Sequence, residues 1–250
     1  MWVIDFWRDT VSRIDPATNR EVAIIPLRLP FAVCEHCPGA HDFLPYDLAT
    51  GAGGVWVTTG RGAVARIDPP NDSVAAYIRI RGETGDVAVA ENRVWMSAGA
   101  LGVRVIDPAT NRVVEKIPIV DGRHPVQAGV TAFGGTLWAA GNDLRRTGDP
   151  GNPYELSSGG GGTVVRIDPV SARVIATIHV GQHVFLRAAD QDSAWVLVGP
   201  PRRDDVYRID AGDNRLSGPF HLPGALLAVG YGSGWVFSAD HTIERVALPG

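Results

Sequence analysis

Lysine is almost missing: a single residue, Lys116, stands beside 22 arginines, and the 23 basic residues are outnumbered by 27 acidic ones, giving a net charge of −4 at pH 7. No basic field is therefore available to hold nucleic acid or an anionic membrane surface. Long apolar runs are missing too. No stretch approaches the roughly 18 residues that would span a bilayer, and the opening MWVIDFWRDT has neither the basic flank nor the apolar stretch of a signal peptide. We expect no nucleic-acid partner and no membrane insertion, and composition leaves the location unknown. Two cysteines permit one disulfide at most, which excludes a disulfide scaffold. No long window carries a helical apolar stripe, which argues against helices.

What is present is ample apolar side chain, 45% of 250 residues, enough for a folded core, and a repeat. VSRIDPATNREVAIIPL from Val11 recurs from Val64, Val103, Val164 and Val206, with a worn sixth copy, IERVALPG, from Ile243. Upstream of each copy lies a tryptophan signature, at Trp2, Trp56, Trp95, Trp138, Trp195 and Trp235. The equivalent positions Asp15, Asp68, Asp107, Asp168, Asp210 and Ala247 are 53, 39, 61, 42 and 37 residues apart. The shorter spacings match a propeller blade of about 40 to 45 residues. Within each unit the runs are short, rich in Val, Ile, Thr and Trp, and bounded by Gly, Pro, Asn or Asp, which is strand chemistry.

In the clearest unit the spacing predicts strands a over 86–90, b over 93–97, c over 103–107 and d over 112–119. A meander this small cannot bury both faces alone, so neighbouring sheets must stack. The expected fold is all-β: a six-bladed β-propeller of four-stranded antiparallel blades, one domain over residues 1–250, with 22 strands and incomplete seam blades. Burying about 200 Å² of each indole ring is worth roughly 5 kcal/mol before entropy is subtracted. The recurring aspartates have a structural explanation. Asp at the first turn position accepts the N–H two residues on, Pro presets φ, and Asn near the end accepts a left-handed conformation.

The segment VRVIDPATNRVVEKIPIV, preceded by NRVWMSAGALG, resembles the repeat of the bacterial YVTN and streptogramin-lyase-like (virginiamycin B lyase-like) β-propellers. The resemblance covers nearly the whole chain. It implies the fold, an extracytoplasmic setting and, with the incomplete seam blades, a piece of a longer polypeptide. Of the lyase branch it implies a metal-assisted reaction, but the WFTE and Pro-His signatures of that branch are replaced here: Asp5, Thr59, Ala98, Gly141, Val198 and Ser238 follow the tryptophans, and Tyr46, Val126 and Gly224 follow the strand-a prolines. The fold transfers and the reaction does not.

In a meander the b–c loops and d–a connections emerge on one face. Both long insertions, at about 29–46 and 141–162, are therefore expected to crown a single channel mouth, where function on a rigid scaffold tends to sit. Candidate ligand contacts there are Asp47, Asp86, His124, His183, Arg187, His241, Arg145, Arg146 and Tyr154. Asp47 and Asp86 each stand nine residues before a repeat tryptophan, and two such carboxylates repel unless a cation, an arginine or backbone donors occupy them; backbone capping is the expected role. The first insertion also carries Cys34, Cys37 and His41, three of the four ligands a zinc ion takes, with His36 or Asp42 as the candidate fourth; a small disulfide or two free thiols is the favoured reading of the cysteines. Residues 141–162 read as a glycine-rich hinge, with a solvated loop favoured over a lid on the mouth. Trp7, outside the tryptophan repeat on the first b–c loop, reads as either an edge-covering hydrophobe or a ligand platform, the first being the expected role.

The expected function is a non-catalytic sensor or scaffold module that binds a small molecule, peptide or protein at the mouth, with no certain cofactor beyond a divalent metal as the candidate. The alternative is a metal-dependent lyase or hydrolase built on His124, His183 or His241 with Asp47 and Asp86.

Overall fold

A computed structural model describes residues 1–28, 45–59, 62–80, 84–99, 102–119, 126–133, 135–146, 154–156, 161–180, 183–190, 192–199, 205–230, 232–238, 240 and 242–248. Side chains are excepted at 126–128, 144–146, 154–156, 205 and 227. The fold class is the expected six-bladed β-propeller: six small antiparallel meanders, with no α-helix among the described residues. Contacts group the chain into two compact units, Met1–Pro118 and Ile119–Gly250.

The first unit holds three sheets. β1 (Trp2–Asp5), β2 (Thr10–Asp15) and β3 (Arg20–Pro26) supply strands b, c and d of the first. β4 (Pro45–Gly51), β5 (Gly54–Thr59), β6 (Ala63–Asp68) and β7 (Ser73–Arg79) form the second. β8 (Val87–Ala90), β9 (Arg93–Ser97), β10 (Val103–Asp107) and β11 (Arg112–Ile117) form the third, within two residues of the expected bounds. One apolar layer joins the first two sheets, with Trp2, Ile4, Val11 and Ile25 against Val55, Val57, Ala65 and Ile67. The next layer joins the second and third, with Trp56, Val64 and Ile78 against Val87, Val94, Met96 and Ile106. Trp2 and Trp56 thus each face the sheet that follows.

The second unit repeats this plan. β12 (Val126–Phe133), β13 (Thr136–Arg146), β15 (Gly162–Asp168) and β16 (Arg173–Val180) form a sheet from which the short β14 (Tyr154–Leu156) pairs with the far end of β13. β17 (Val184–Ala189), β18 (Ser193–Val198), β19 (Asp205–Asp210) and β20 (Leu216–His221) follow, and then β21 (Gly224–Gly230), β22 (Ser233–Ser238) and β23 (Ile243–Ala247) as strands a, b and c. Trp138, Ala140 and Val164 pack on Val184, Val196 and Ile209, and Trp195 with Val206 packs on Leu226 and Val236. Both terminal sheets have three strands, as the seam count anticipated. The additional strand is β14. It turns part of the 141–162 segment, read from sequence as a glycine-rich hinge, into a ladder in which Arg146 opposes Tyr154 and Arg145 opposes Glu155.

Trp56, Trp95, Trp138 and Trp195 are at most 1% exposed. The turn aspartates do what local chemistry asks of them. Asp15 accepts Ala17 N–H at 3.0 Å and the Thr18 hydroxyl at 2.9 Å, and Asp107 accepts Ala109 N–H and the Thr110 hydroxyl at 2.9 and 2.8 Å. The turns end in left-handed residues, Asn19, Asp72, Asn111, Ala172 and Asn214, at φ between 46° and 60°. Asn and Asp tolerate that conformation better than other side chains carrying a Cβ.

Candidate functional site

Asp47 sits in β4, where a strand-a carboxylate points across to the next sheet. Its Oδ2 accepts the Val87 N–H at 2.8 Å and its Oδ1 accepts its neighbour Leu48 N–H at 2.8 Å. Burial pushes the carboxyl above its ordinary value, and those two N–H donors pull the other way. Asp86 immediately precedes the capped Val87, so the two candidate aspartates are brought close in the chain's course. The Asp86 backbone carbonyl accepts Ser97 N–H at 2.9 Å. Backbone capping, the role expected for Asp47, is therefore the one its geometry shows.

The second unit reaches the same end by another residue. Asn142, 2% exposed in β13, donates through Nδ2 to the Val184 carbonyl at 2.9 Å and accepts Val184 N–H through Oδ1 at 2.6 Å. Val184, like Val87, is the first residue of the following sheet's inner strand. His183 is half-buried beside it, and its carbonyl accepts Gly199 N–H at 2.9 Å; Arg187 is exposed in β17. Arg145, Arg146 and Tyr154 are brought together in register on the β13–β14 ladder. His124, His241, Cys34, Cys37 and His41 lie outside the described residues, as do all of 29–44. Among the described residues no cluster of three or more His, Cys, Asp or Glu side chains is arranged for a metal ion.

The arginine of the R-I-D triplet has a role that the sequence reading missed. Arg66 stacks over the Trp56 ring at 5.1 Å and reaches the following sheet's c–d turn, donating to the Pro108 carbonyl at 2.5 Å and Asn111 Oδ1 at 3.1 Å; its Nη2 also donates to the Gly53 carbonyl at 3.2 Å. Arg13 does the same over Trp2 with Pro69 and Asp72, and Arg166 over Trp138 with Ala211 and Asn214. A planar fork can stack and donate at once, which a lysine cannot. The signal was visible: arginine recurs one residue before the Ile of each triplet at Arg13, Arg66, Arg166 and Arg208, with Val105 the exception.

Trp7 differs from expectation. Instead of covering an edge it is 76% exposed on the β1–β2 turn, edge-to-face with Phe6 at 5.4 Å between centroids, and Phe6 is itself 42% exposed. Asp5 holds the turn by accepting the Trp7 and Arg8 N–H groups at 3.1 Å each. This b–c turn thus presents two aromatics and a cation on a rigid frame.

No protein-family model and no curated protein matches the chain. Solved structures do. The WD40 domain of Neurospora crassa Pan2 is 11% identical over 99% of this chain and 74% of that one, with a TM-score of 0.66. The WD40 domain of Toxoplasma gondii coronin is 10% identical over 98% and 68%, at 0.64. The dihydro-heme d1 dehydrogenase NirN, solved in complex with DHE, is 14% identical over 100% of this chain and 53% of that one, at 0.61. At such identities the likeness shows the fold alone.

Proposed function

We propose that the chain is a non-catalytic protein-binding module of the scaffold type, engaging a peptide or protein segment on the face that carries its b–c turns, with Phe6 and Trp7 as the anchor. The observation that carries this is the 76% exposure of Trp7 on a turn braced by Asp5. A large aromatic held rigidly in water, next to an arginine, has the chemistry of an interface hot spot. The fold shared with WD40 domains is in keeping with a scaffold role. The YVTN-like lineage read from the repeat belongs to the same proposal, supported by the six tryptophan and five aspartate repeats. Arg145, Arg146 and Tyr154, read from the sequence as ligand contacts, belong to the same proposal. The lyase alternative would draw on Asp47, whose two oxygens already serve the Val87 and Leu48 N–H groups.

Panning a displayed random-peptide library against the wild-type protein tests the reading. Enriched peptides should lose roughly thirtyfold in affinity against Trp7→Ala, the size of a 2 kcal/mol hot spot, while its melting temperature stays that of wild type. Peptides that bind Trp7→Ala as tightly as wild type would remove the anchor.

A further inference from the structure

The inner strands of the second unit, β12, β17 and β21, lie side by side and carry almost no charge. Their sequences, VQAGVTAF, VFLRAA and GALLAVG, contain one charged residue, Arg187. A β-bulge sets it apart. Leu186 opposes Val196 and Ala188 opposes Trp195, so Arg187 is the extra residue with no opposite number on β18. β21 carries the same bulge at the same distance from its tryptophan, between Leu226 opposite Val236 and Ala228 opposite Trp235, whereas the β12–β13 ladder is unbroken. A bulge takes one side chain out of the alternation and re-aims it. Here Ala188 and Ala189 stay buried while the arginine before them is exposed.

Among the described residues none accepts a hydrogen bond from the Arg187 guanidinium or pairs with its charge. The carboxylate that follows on the same strand's turn is already taken. Asp190 Oδ1 accepts the Asp192 N–H at 3.0 Å and the Ser193 hydroxyl at 2.7 Å, and its Oδ2 accepts the Trp195 indole N–H at 3.2 Å. The flanking inner strands offer no carboxylate at all. Arg13, Arg66 and Arg166, by contrast, spend their donors on the c–d turn of the following sheet. A guanidinium with every donor available and no counter-charge on an otherwise uncharged wall attracts an anion, and its planar fork matches two oxygens of a carboxylate or phosphate. We propose that Arg187 anchors an oxyanion site on the inner strands of the second unit, which takes the carboxylate or phosphate group of a small ligand. Phe185 and Leu186, half-buried just before it on β17, add apolar surface for the body that carries the anion. The site does not rest on the Phe6–Trp7 reading, since a charge and not an aromatic is its anchor.

Inorganic phosphate and acetate serve as probes, titrated at constant ionic strength held with sodium chloride and followed by the broadening of their phosphorus and methyl-proton NMR lines. Wild-type protein should bind one or both saturably, with a Kd on the order of 1 mM. Arg187→Gln should weaken that binding roughly tenfold, the loss of one charge-assisted contact. Arg187→Lys, which keeps the charge without the fork, should fall between the two. Arg173→Ala removes another exposed arginine, at the start of the outer strand β16, and should change nothing. Melting temperatures equal to that of wild type identify the variants as folded; if Arg187→Gln does not fold, Arg187→Lys carries the comparison. A preference for phosphate or for acetate upholds the site and names its source. Equal affinity in wild type and Arg187→Gln, an equal loss in Arg173→Ala, or no saturation below about 30 mM means an adventitious ion only and overturns the proposal.

Discussion

Arg66 is the place where the interlock between sheets can be measured. Three hydrogen bonds leave its guanidinium, to Pro108, Asn111 and Gly53, while the plane lies over Trp56. Hydrogen bonds from a charged donor are worth about 1.5 to 3 kcal/mol each before exposure discounts them; the one to Gly53 is exposed and counts least. A cation over an indole face adds about 0.5 to 1 kcal/mol. Arg66→Ala should therefore cost about 3 to 4 kcal/mol, and Arg66→Lys about 2 kcal/mol, because an ammonium cannot stack flat and donate to two acceptors at once. Asn111 supplies the second acceptor and is left-handed at φ 54°, so Asn111→Gly deletes the acceptor without straining the turn. Urea unfolding followed by tryptophan fluorescence gives each stability at constant slope. The Arg66→Ala, Asn111→Gly cycle should then return a coupling of about 1 kcal/mol. Costs that add to within about 0.4 kcal/mol would mean that the two groups do not interact energetically, and the arginine would be no more than a stem covering the indole.

Two further predictions concern groups already placed. Asn142→Leu keeps the volume but strips Val184 of both partners, and with Val184 only 1% exposed two buried backbone groups left unsatisfied should cost about 3 to 5 kcal/mol in the same unfolding assay; a loss below about 1 kcal/mol would mean that water replaces the amide. Acid stability follows from the turns. The Ala17 and Ala109 N–H groups, helped by the Thr18 and Thr110 hydroxyls, hold Asp15 and Asp107 below the ordinary aspartate value, and the Ser171 hydroxyl followed by the Val170 N–H does so for Asp168. A lowered folded value means stability that is complete above the unfolded aspartate range and lost as pH falls through the folded one, whereas Asp47, raised by burial, changes in the opposite sense. The triple substitution of Asp15, Asp107 and Asp168 by Asn should flatten the decline in melting temperature below about pH 4; an unchanged acid limb would assign that decline to other groups.

How far the sequence reached can be seen at particular residues. Strands β8 to β11 were legible almost to the residue because their signals are local: alternating apolar side chains, a tryptophan in b, and an Asp-Pro turn between c and d. The c–d turns were legible for the same reason, since the Asp15 carboxylate bonds to Ala17 and Thr18, two and three residues on. The arginine recurs visibly in the triplet, but what it bonds was not legible, because its acceptors lie 42 and 45 residues further on. The β13–β14 ladder was hidden by its brevity: NPYELSSGGGG alternates only over Tyr154-Glu155-Leu156, and its pairing comes from β13 running on past the sheet. Trp7 was misread because a sequence gives the size of a side chain and not the depth at which a two-sided turn holds it.

The repeat itself is consumed by construction. Its aspartates close turns, its arginines bridge to the next sheet, its tryptophans fill the layers, and the strand-a carboxylate of Asp47 caps Val87. A group whose hydrogen-bonding capacity is spent inside the scaffold cannot also bind a ligand without breaking what it holds. On the proposed reading, recognition resides where this chain departs from its own pattern, at the aromatics Phe6 and Trp7 on a b–c turn and where a strand outgrows its sheet at Arg145 and Arg146. Substitution at Trp7 should accordingly impair ligand binding and leave the melting temperature unchanged, and a variant that lowered both would mean that the scaffold, and not a local surface, had been damaged.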